Sequence, residues 1–201
     1  MEVGVVPSVR ELQRQRTRDA ILKAAAEEFE RRGYAAVSLS EIAARVEVTK
    51  GSVYFHFPSK ADLATAVVHT YSSAWQTIVD GVEGSRAEGL EALRQLSAEA
   101  ARIYRDDAGV RAPLRLMRES DVIGVDLPTP FLPWLDAVTR QLVVAQERKE
   151  VRADVDPQAV AWHIVSCFFG TQEISHQLNG RKDLADRVDA MWDLVLRGIA
   201  A

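Results

Sequence analysis

The stretch S-L-S-E-I-A-A-R-V-E-V-T-K-G-S-V-Y-F-H-F-P-S-K, Ser38 to Lys60, decides the fold. Ser38 with Glu41 three residues later is a capping box that opens a short helix. Leu39, Ile42, Ala43 and Val46 supply its buried side, and Glu47-Val48 makes a turn. Thr49 then caps a second short helix beginning Lys50, Gly51, Ser52. In this helix Val53 and Phe57 belong to the core, Tyr54 is shared between core and surface, and Phe55 is more exposed. Pro58 ends it. Ser59 with Asp62 starts a third helix at once. Two helices of about two turns joined by a tight turn form a helix-turn-helix, which offers the N-terminal end of its second helix to a DNA major groove.

The residue types at that end suit the task. The Thr49 and Ser52 hydroxyls match phosphates, and Lys50 has the reach for a phosphate or a guanine edge. Gly51 allows close backbone approach, while Tyr54 and Phe55 suit sugar or a thymine methyl. Ser38, Ser40, His56 and Lys60 add candidate phosphate contacts. Upstream, Ile21, Leu22, Ala25, Ala26 and Phe29 make one apolar stripe, which predicts a helix over Thr17 to Arg32 stopped by Gly33. Arg10, Arg14, Arg16 and Arg18 lie ahead of this helix and on its first turns. They form either a solvated face or a basic arm for phosphate or minor groove, and Arg16 joins the candidate DNA contacts.

Charge agrees with a nucleic-acid contact confined to one end. Residues 1–60 carry ten Lys/Arg against eight Asp/Glu, and residues 61–201 carry fifteen against twenty-one. A mildly basic head therefore precedes an acidic body, and the net −4 argues against a wholly basic coat protein. The single cysteine, Cys167, excludes an internal disulfide and fits a reducing cytoplasm. No apolar run is long enough for a signal peptide or a membrane span, so a cytoplasmic protein is expected. Enzyme fingerprints are missing: there is no Gly-x-Ser-x-Gly, His-Glu-x-x-His, P-loop or dinucleotide motif. His163 and Cys167 share a helix side, but an apolar helix more often simply buries such residues, so neither metal nor cofactor is expected.

The run T-K-G-S-V-Y-F-H-F-P-S-K-A-D-L, Thr49 to Leu63, resembles the signature of the TetR family of bacterial transcriptional regulators. So do A-A-A-E-E-F-E-R-R-G-Y, Ala24 to Tyr34, and S-L-S-E-I-A-A-R-V, Ser38 to Val46. The resemblance implies three N-terminal helices that bind operator DNA as a dimer, and further helices that hold an inducer and the partner subunit. It makes the expected fold all-α, about nine helices, with a DNA-binding domain over 1–58 and a ligand-binding and dimerisation domain over 59–201. It also implies a near-palindromic operator, a homodimer formed through the last two helices, and no enzymatic activity.

Helix four is read over Lys60 to about Val82, where Tyr71 and Trp75 lie one turn apart and either face a cavity or sit in ordinary core. The glycines of Gly81 to Gly89 mark a loop. Helices are expected over Leu90 to Tyr104 and Val110 to Glu119, the latter with Pro113 in its first turn. Ser120 to Pro133 reads as a long irregular segment. Its end, L-P-T-P-F-L-P-W, Leu127 to Trp134, is similar to a run in the γ-butyrolactone autoregulator receptors, a TetR-family branch. D-V-D-P, Asp154 to Pro157, and F-F-G-T-Q, Phe168 to Gln172, are similar to the same branch. The resemblance places Trp134 in a pocket for a γ-butyrolactone- or furan-like signal, with Thr171, Tyr71 and Trp75 as further candidates, and points to control of antibiotic biosynthesis. Thr171 has an alternative, a bond back to its own helix. A regulator of an efflux or catabolic gene sensing another small hydrophobic molecule is the alternative function, and a helical domain that does not bind DNA is a third. In the last helix, about Lys182 to Ile199, Met191 and Trp192 suit either a dimer contact or the monomer core.

Overall fold

The computed structural model describes residues 8–84, 86–128 and 131–201, and the side chains of these apart from Ser73, Ala74, Trp75, Val82 and Glu83. Among the described residues the named elements are ten α-helices: α1 Val9–Arg32, α2 Leu39–Arg45, α3 Lys50–His56, α4 Lys60–Glu83, α5 Gly89–Asp106, α6 Ala108–Arg118, α7 Ser120–Ile123, α8 Phe131–Glu147, α9 Pro157–Asn179 and α10 Leu184–Ile199. The one extended pairing among them is an isolated antiparallel bridge between Val151 and Ala200. The all-α expectation holds. The tenth helix is the four-residue α7, inside the segment read as irregular, closed by Gly124 in the left-handed region at φ 75°.

Four boundaries differ from the sequence reading, each for a local reason. Helix α1 begins at Val9, eight residues before Thr17, because Ser8 and Glu11 form a second capping box: Ser8 Oγ accepts from the Glu11 amide at 3.2 Å and Ser8 N donates to the Glu11 carboxylate at 2.7 Å. Helix α4 runs through Gly81 to Glu83, so the glycine-rich loop is shorter than expected. Helix α6 starts at Ala108, where the Asp107 carboxylate accepts from the Gly109 amide at 2.7 Å, and this leaves Pro113 inside the helix rather than in its first turn. Helix α8 begins at Phe131, so Pro133 and Trp134 are its third and fourth residues.

The chain packs as two compact units. One joins the residues up to Tyr71 to Arg111–Pro128; the other comprises Ser72–Val110 and the residues from 129 onward. Helices α4 and α6 each pass from one unit into the other. In the first unit Ile21, Ala25 and Phe29 of α1 meet Ile42 of α2, Val53 of α3 and Leu63 and Val67 of α4, all fully buried. Ala112 and Leu116 of α6 close the same core. Each large apolar side chain buried this way contributes roughly 1.5–3 kcal/mol. Around the core, the nearly buried Glu28 carboxylate gathers Arg31 at 2.6 Å, Arg32 at 3.6 Å and Arg45, tying α1 to α2.

In the second unit α8 packs on α5 and α9, and α10 packs on α5 and α9. Met191 and Trp192 are buried in this unit's own core, which settles the dimer-or-core alternative for both. The α9–α10 turn is pinned by polar contacts. Buried Arg181, at φ 65°, donates to Gln172 Oε1 at 3.2 Å and to His176 Nδ1 at 2.8 Å. Asp183 accepts from Ser175 at 2.6 Å and Asn179 at 2.8 Å.

Candidate functional site

The first unit presents a polar, cationic face made from the starts of α2, α3 and α4. At α2, Ser38 N donates to Glu41 Oε2 at 2.8 Å and Arg32 Nη1 donates to Glu41 Oε1 at 2.9 Å. The Ser38 and then the Arg32 hydrogen bonds hold the Glu41 carboxyl down to about 2. At α3, Thr49 Oγ1 accepts from the Ser52 amide at 3.1 Å. At α4, Ser59 Oγ accepts from the Asp62 amide at 3.0 Å. Both acids at these starts are thus engaged in the caps, Glu41 through Ser38 and Asp62 through Ser59. Lys50 Nζ lies 5.7 Å from the Tyr54 ring centroid, and Lys60 Nζ lies 4.1 Å from that of Tyr34. Burial pushes the Lys60 ammonium below its ordinary value, while the Glu119 and Glu41 carboxylates act the other way.

Ser38, Ser40, Lys50, Tyr54, Ser59 and Lys60 line one cleft of about 540 Å³, and none of its lining residues is acidic. A Cβ added at Gly51 would meet only Thr49 Oγ1, at 3.8 Å, so the backbone there is open to close approach. Side-chain exposure follows the sequence reading: Val53 and Phe57 are buried, Tyr54 is 45% exposed and Phe55 68%. Ser52, Phe55 and His56 face a second groove, of about 520 Å³, whose opposite wall is the first turns of α1 with Arg10 and Arg14. Arg16, the arginine singled out from the sequence, does not line that groove. It sits two residues and about 200° around α1 from Arg14.

What holds this face was not visible in the sequence. Arg115 Nη1 donates to the Glu30 and Arg31 carbonyls at 2.7 and 3.3 Å, covering the end of α1. Glu119 Oε2 accepts from the Tyr34 amide at 2.7 Å. Arg111 Nε pairs with Glu30 at 2.9 Å. Arg115 is therefore a side-chain substitute for the missing helical donors at the C-terminus of α1.

The second unit carries an aromatic cluster where the sequence placed a pocket. Trp134 is 4% exposed and stacks on Phe168, with ring centroids 5.9 Å apart and planes at 20°. Tyr104 meets Phe168 edge-on at 5.6 Å and Phe169 at 5.9 Å, and Phe131 meets Phe169 at 4.8 Å. Outside it, Phe131, Leu135, Trp162, Val165, Ser166 and Phe169 line a surface groove of about 290 Å³ between α8 and α9. Thr171 is partly buried, two residues past Phe169, and does not line that groove. Tyr71 packs against the core of the first unit. The Trp75 side chain lies outside the described residues. Tyr104 was not singled out from the sequence, where a lone tyrosine on an amphipathic helix carries no separate signal. Among the described residues no group of three or more His, Cys, Asp or Glu is assembled to hold a metal ion, and no helix is long and apolar enough to cross a membrane.

A helix-turn-helix unit followed along the chain by an all-helical unit points to a class: bacterial DNA-binding regulators. The comparisons agree. Residues 21–67 match the family of bacterial regulatory proteins, tetR family, and residues 87–201 match the tetracyclin repressor-like C-terminal domain. The chain belongs to the TetR family. It is 38% identical to the A-factor receptor protein of Streptomyces griseus over 90% of its own length, and spans 63% of the length of that relative. A structure solved to explain control of antibiotic production by a bacterial hormone is 36% identical, with a TM-score of 0.83 over 97% of this chain and 100% of that one. CprB of Streptomyces coelicolor, solved in complex with its biological operator sequence, is 35% identical, with a TM-score of 0.80 over 94% and 90% of the two chains.

Proposed function

We propose that this chain is a homodimeric transcriptional repressor that leaves its operator when a small γ-butyrolactone- or furan-like signal binds, and that it governs antibiotic biosynthesis. The observation that carries the reading is the cleft at the starts of α2, α3 and α4, where Lys50, Lys60 and Tyr54 gather with three serines and no acid. A duplex entering there meets Lys50 and Tyr54 from α3 and phosphate ligands from Ser38, Ser40 and Lys60, with Thr49 and Ser52 beside the cleft at the start of α3, while Gly51 lets the backbone approach. Phe55 and His56 bound the neighbouring groove. Two copies related by a two-fold axis read a near-palindromic operator with half-sites about 34–36 Å apart or a little more. The protein works in the cytoplasm, without a cofactor.

Dimerisation through α9 and α10 is supported by apolar side chains left on their outer faces. Ile174 is 61% exposed, Leu178 75% and Leu194 71%, a pattern that homodimer interfaces bury. The ligand end is supported by Trp134, whose indole offers a face for an alkyl tail and an N–H for a carbonyl or ring oxygen. Tyr71, Trp75 and Thr171 remain candidate contacts. A signal that binds the DNA-incompetent form about 100-fold better shifts the equilibrium by about 2.7 kcal/mol.

A gel shift on the gene's own upstream region, with γ-butyrolactones and furans bearing short alkyl tails, tests both halves. Retardation relieved by one of them is the expected result. Retardation that these leave intact but a cationic drug relieves would move the protein to the efflux-regulator reading, and no retardation of any upstream fragment would sink the DNA-binding half.

A further inference from the structure

We propose that the first two turns of α1 form a second DNA-backbone site, in which Arg10 and Arg14, facing Ser52 and His56 of α3, take a phosphate outside the one served by the start of α3. The site rests on the operator-binding reading and adds to it a ridge that the helix-turn-helix itself does not contain.

The ridge is rigid because α1 is closed at Ser8 by a full capping box, so its arginines are positioned before DNA arrives. Arg10, Arg14 and Arg18 recur every four residues and fall on one helix face. Further along, that face becomes the buried stripe of Ile21, Ala25 and Phe29. Before Ile21 two of its arginines lie over rings at the end of α3. Arg14 lies 5.2 Å over the Phe55 ring and Arg18 5.1 Å over that of Phe57. These contacts aim the guanidiniums without neutralising them.

The groove's lining sets two arginines against a single acid, Glu11. Arg10 and Arg14 make no ion pair among the described residues. The acid on its wall, Glu11, is engaged by the Ser8 hydroxyl and the Ser8 amide, both at 2.7 Å. Burial, and then Arg14 and Arg18, push the His56 imidazole below its ordinary value, so the groove's positive excess comes from its two arginines, which outnumber the Glu11 carboxylate. A concave wall with two arginines against one acid held in the Ser8 cap, a serine hydroxyl and an adjoining recognition helix fits a phosphate of the duplex held by that helix.

The experiment uses the full-length protein and a duplex from its own upstream region, with affinity measured from about 0.05 to 0.3 M salt. Arg10→Gln and Arg14→Gln keep the side-chain length and helix propensity. Lys23→Gln makes the same change of charge on the opposite face of α1, at an exposed residue. Each lost phosphate contact flattens the slope of log affinity against log salt by about 0.9, hence by about 1.8 per substitution in a dimer. At about 0.1 M salt, affinity falls roughly 10- to 100-fold for Arg14→Gln. Lys23→Gln keeps the wild-type slope, and Arg14→Lys restores the slope lost in Arg14→Gln. Equal slopes for Arg14→Gln and Lys23→Gln, or an Arg14→Gln slope matching wild type, would overturn the site. A wild-type protein that retards neither this duplex nor a mixed-sequence one at the lowest salt would instead overturn operator binding, and the site with it.

Discussion

Gly33→Ala tests the clamp on the end of α1 directly. Gly33 follows α1 at φ 83° and ψ 166°, a region that essentially only glycine occupies, and its N–H still donates to the Phe29 carbonyl at 2.9 Å. An added Cβ would lie 2.6 Å from Glu119 Oε1 and 2.9 Å from Arg115 Nη2. The backbone strain costs about 1–3 kcal/mol. Moving Glu119 away also breaks its bond to the Tyr34 amide, and the half-exposed pair with Arg115 loosens with it. That adds about 1–2 kcal/mol, discounted for solvent around both side chains. The alanine recovers about 0.4–1 kcal/mol through the unfolded chain, leaving a net loss of roughly 1–5 kcal/mol. In a chain of this size that lowers the melting temperature by roughly 2–20 °C. Gly124→Ala is the matched control: it too has a positive φ, 75°, but nothing lies within 4 Å of the added carbon. Its loss stays below about 1 kcal/mol. Calorimetry on both variants, with amide exchange at Tyr34, reads the difference. Adding Glu119→Gln to Gly33→Ala should change little further, because the first substitution already displaces that carboxylate. Gly33→Ala no less stable than Gly124→Ala, or a fully additive double variant, would refute the clamp as the reason.

Three other outcomes follow from the same geometry. Trp134→Phe preserves a ring against Phe168 but deletes the indole N–H; operator affinity should hold while release needs roughly 5- to 10-fold more γ-butyrolactone, about 1 kcal/mol of lost bonding, and an unchanged dose response in a fluorescence titration removes Trp134 from the site. Leu178→Glu puts a charge in the exposed stripe of α9 and should yield monomers in light scattering; a persistent dimer places the interface elsewhere. Glu41, held to about 2 when folded, lies below its unfolded value of about 4.3, so its contribution is complete above that value and disappears as pH falls from about 4.5 towards 2. Urea midpoints across that window should therefore fall less steeply for Glu41→Gln than for wild type, and parallel curves would show that the Ser38–Arg32 contacts do not report on folding.

The division between what sequence reading reached and what it missed follows contact range. Ser38, Thr49 and Ser59 cap helices through bonds to residues three positions away, so motif and geometry are one fact. The S-V-R-E box at Ser8 obeys the same rule, yet the apolar stripe begins only at Ile21, and periodicity placed the start of α1 too late. The clamp on α1 joins Tyr34 to Glu119 across 85 positions, and no local pattern announces it.

Ligand residues are harder for a different reason. Trp134, Phe168 and Phe169 satisfy helical periodicity whether they pack on one another or enclose a ligand, since both roles demand the inward face. DNA contacts must instead project outward, where an aromatic or a cation without a partner acid stands out against its surroundings. The exposure of Phe55 was legible for that reason, and the burial of Tyr104 against Phe168 and Phe169 was not. Four arginines in nine residues look alike in sequence, and the rings opposite Arg14 and Arg18, Phe55 at 5.2 Å and Phe57 at 5.1 Å, distinguish the pair turned towards α3.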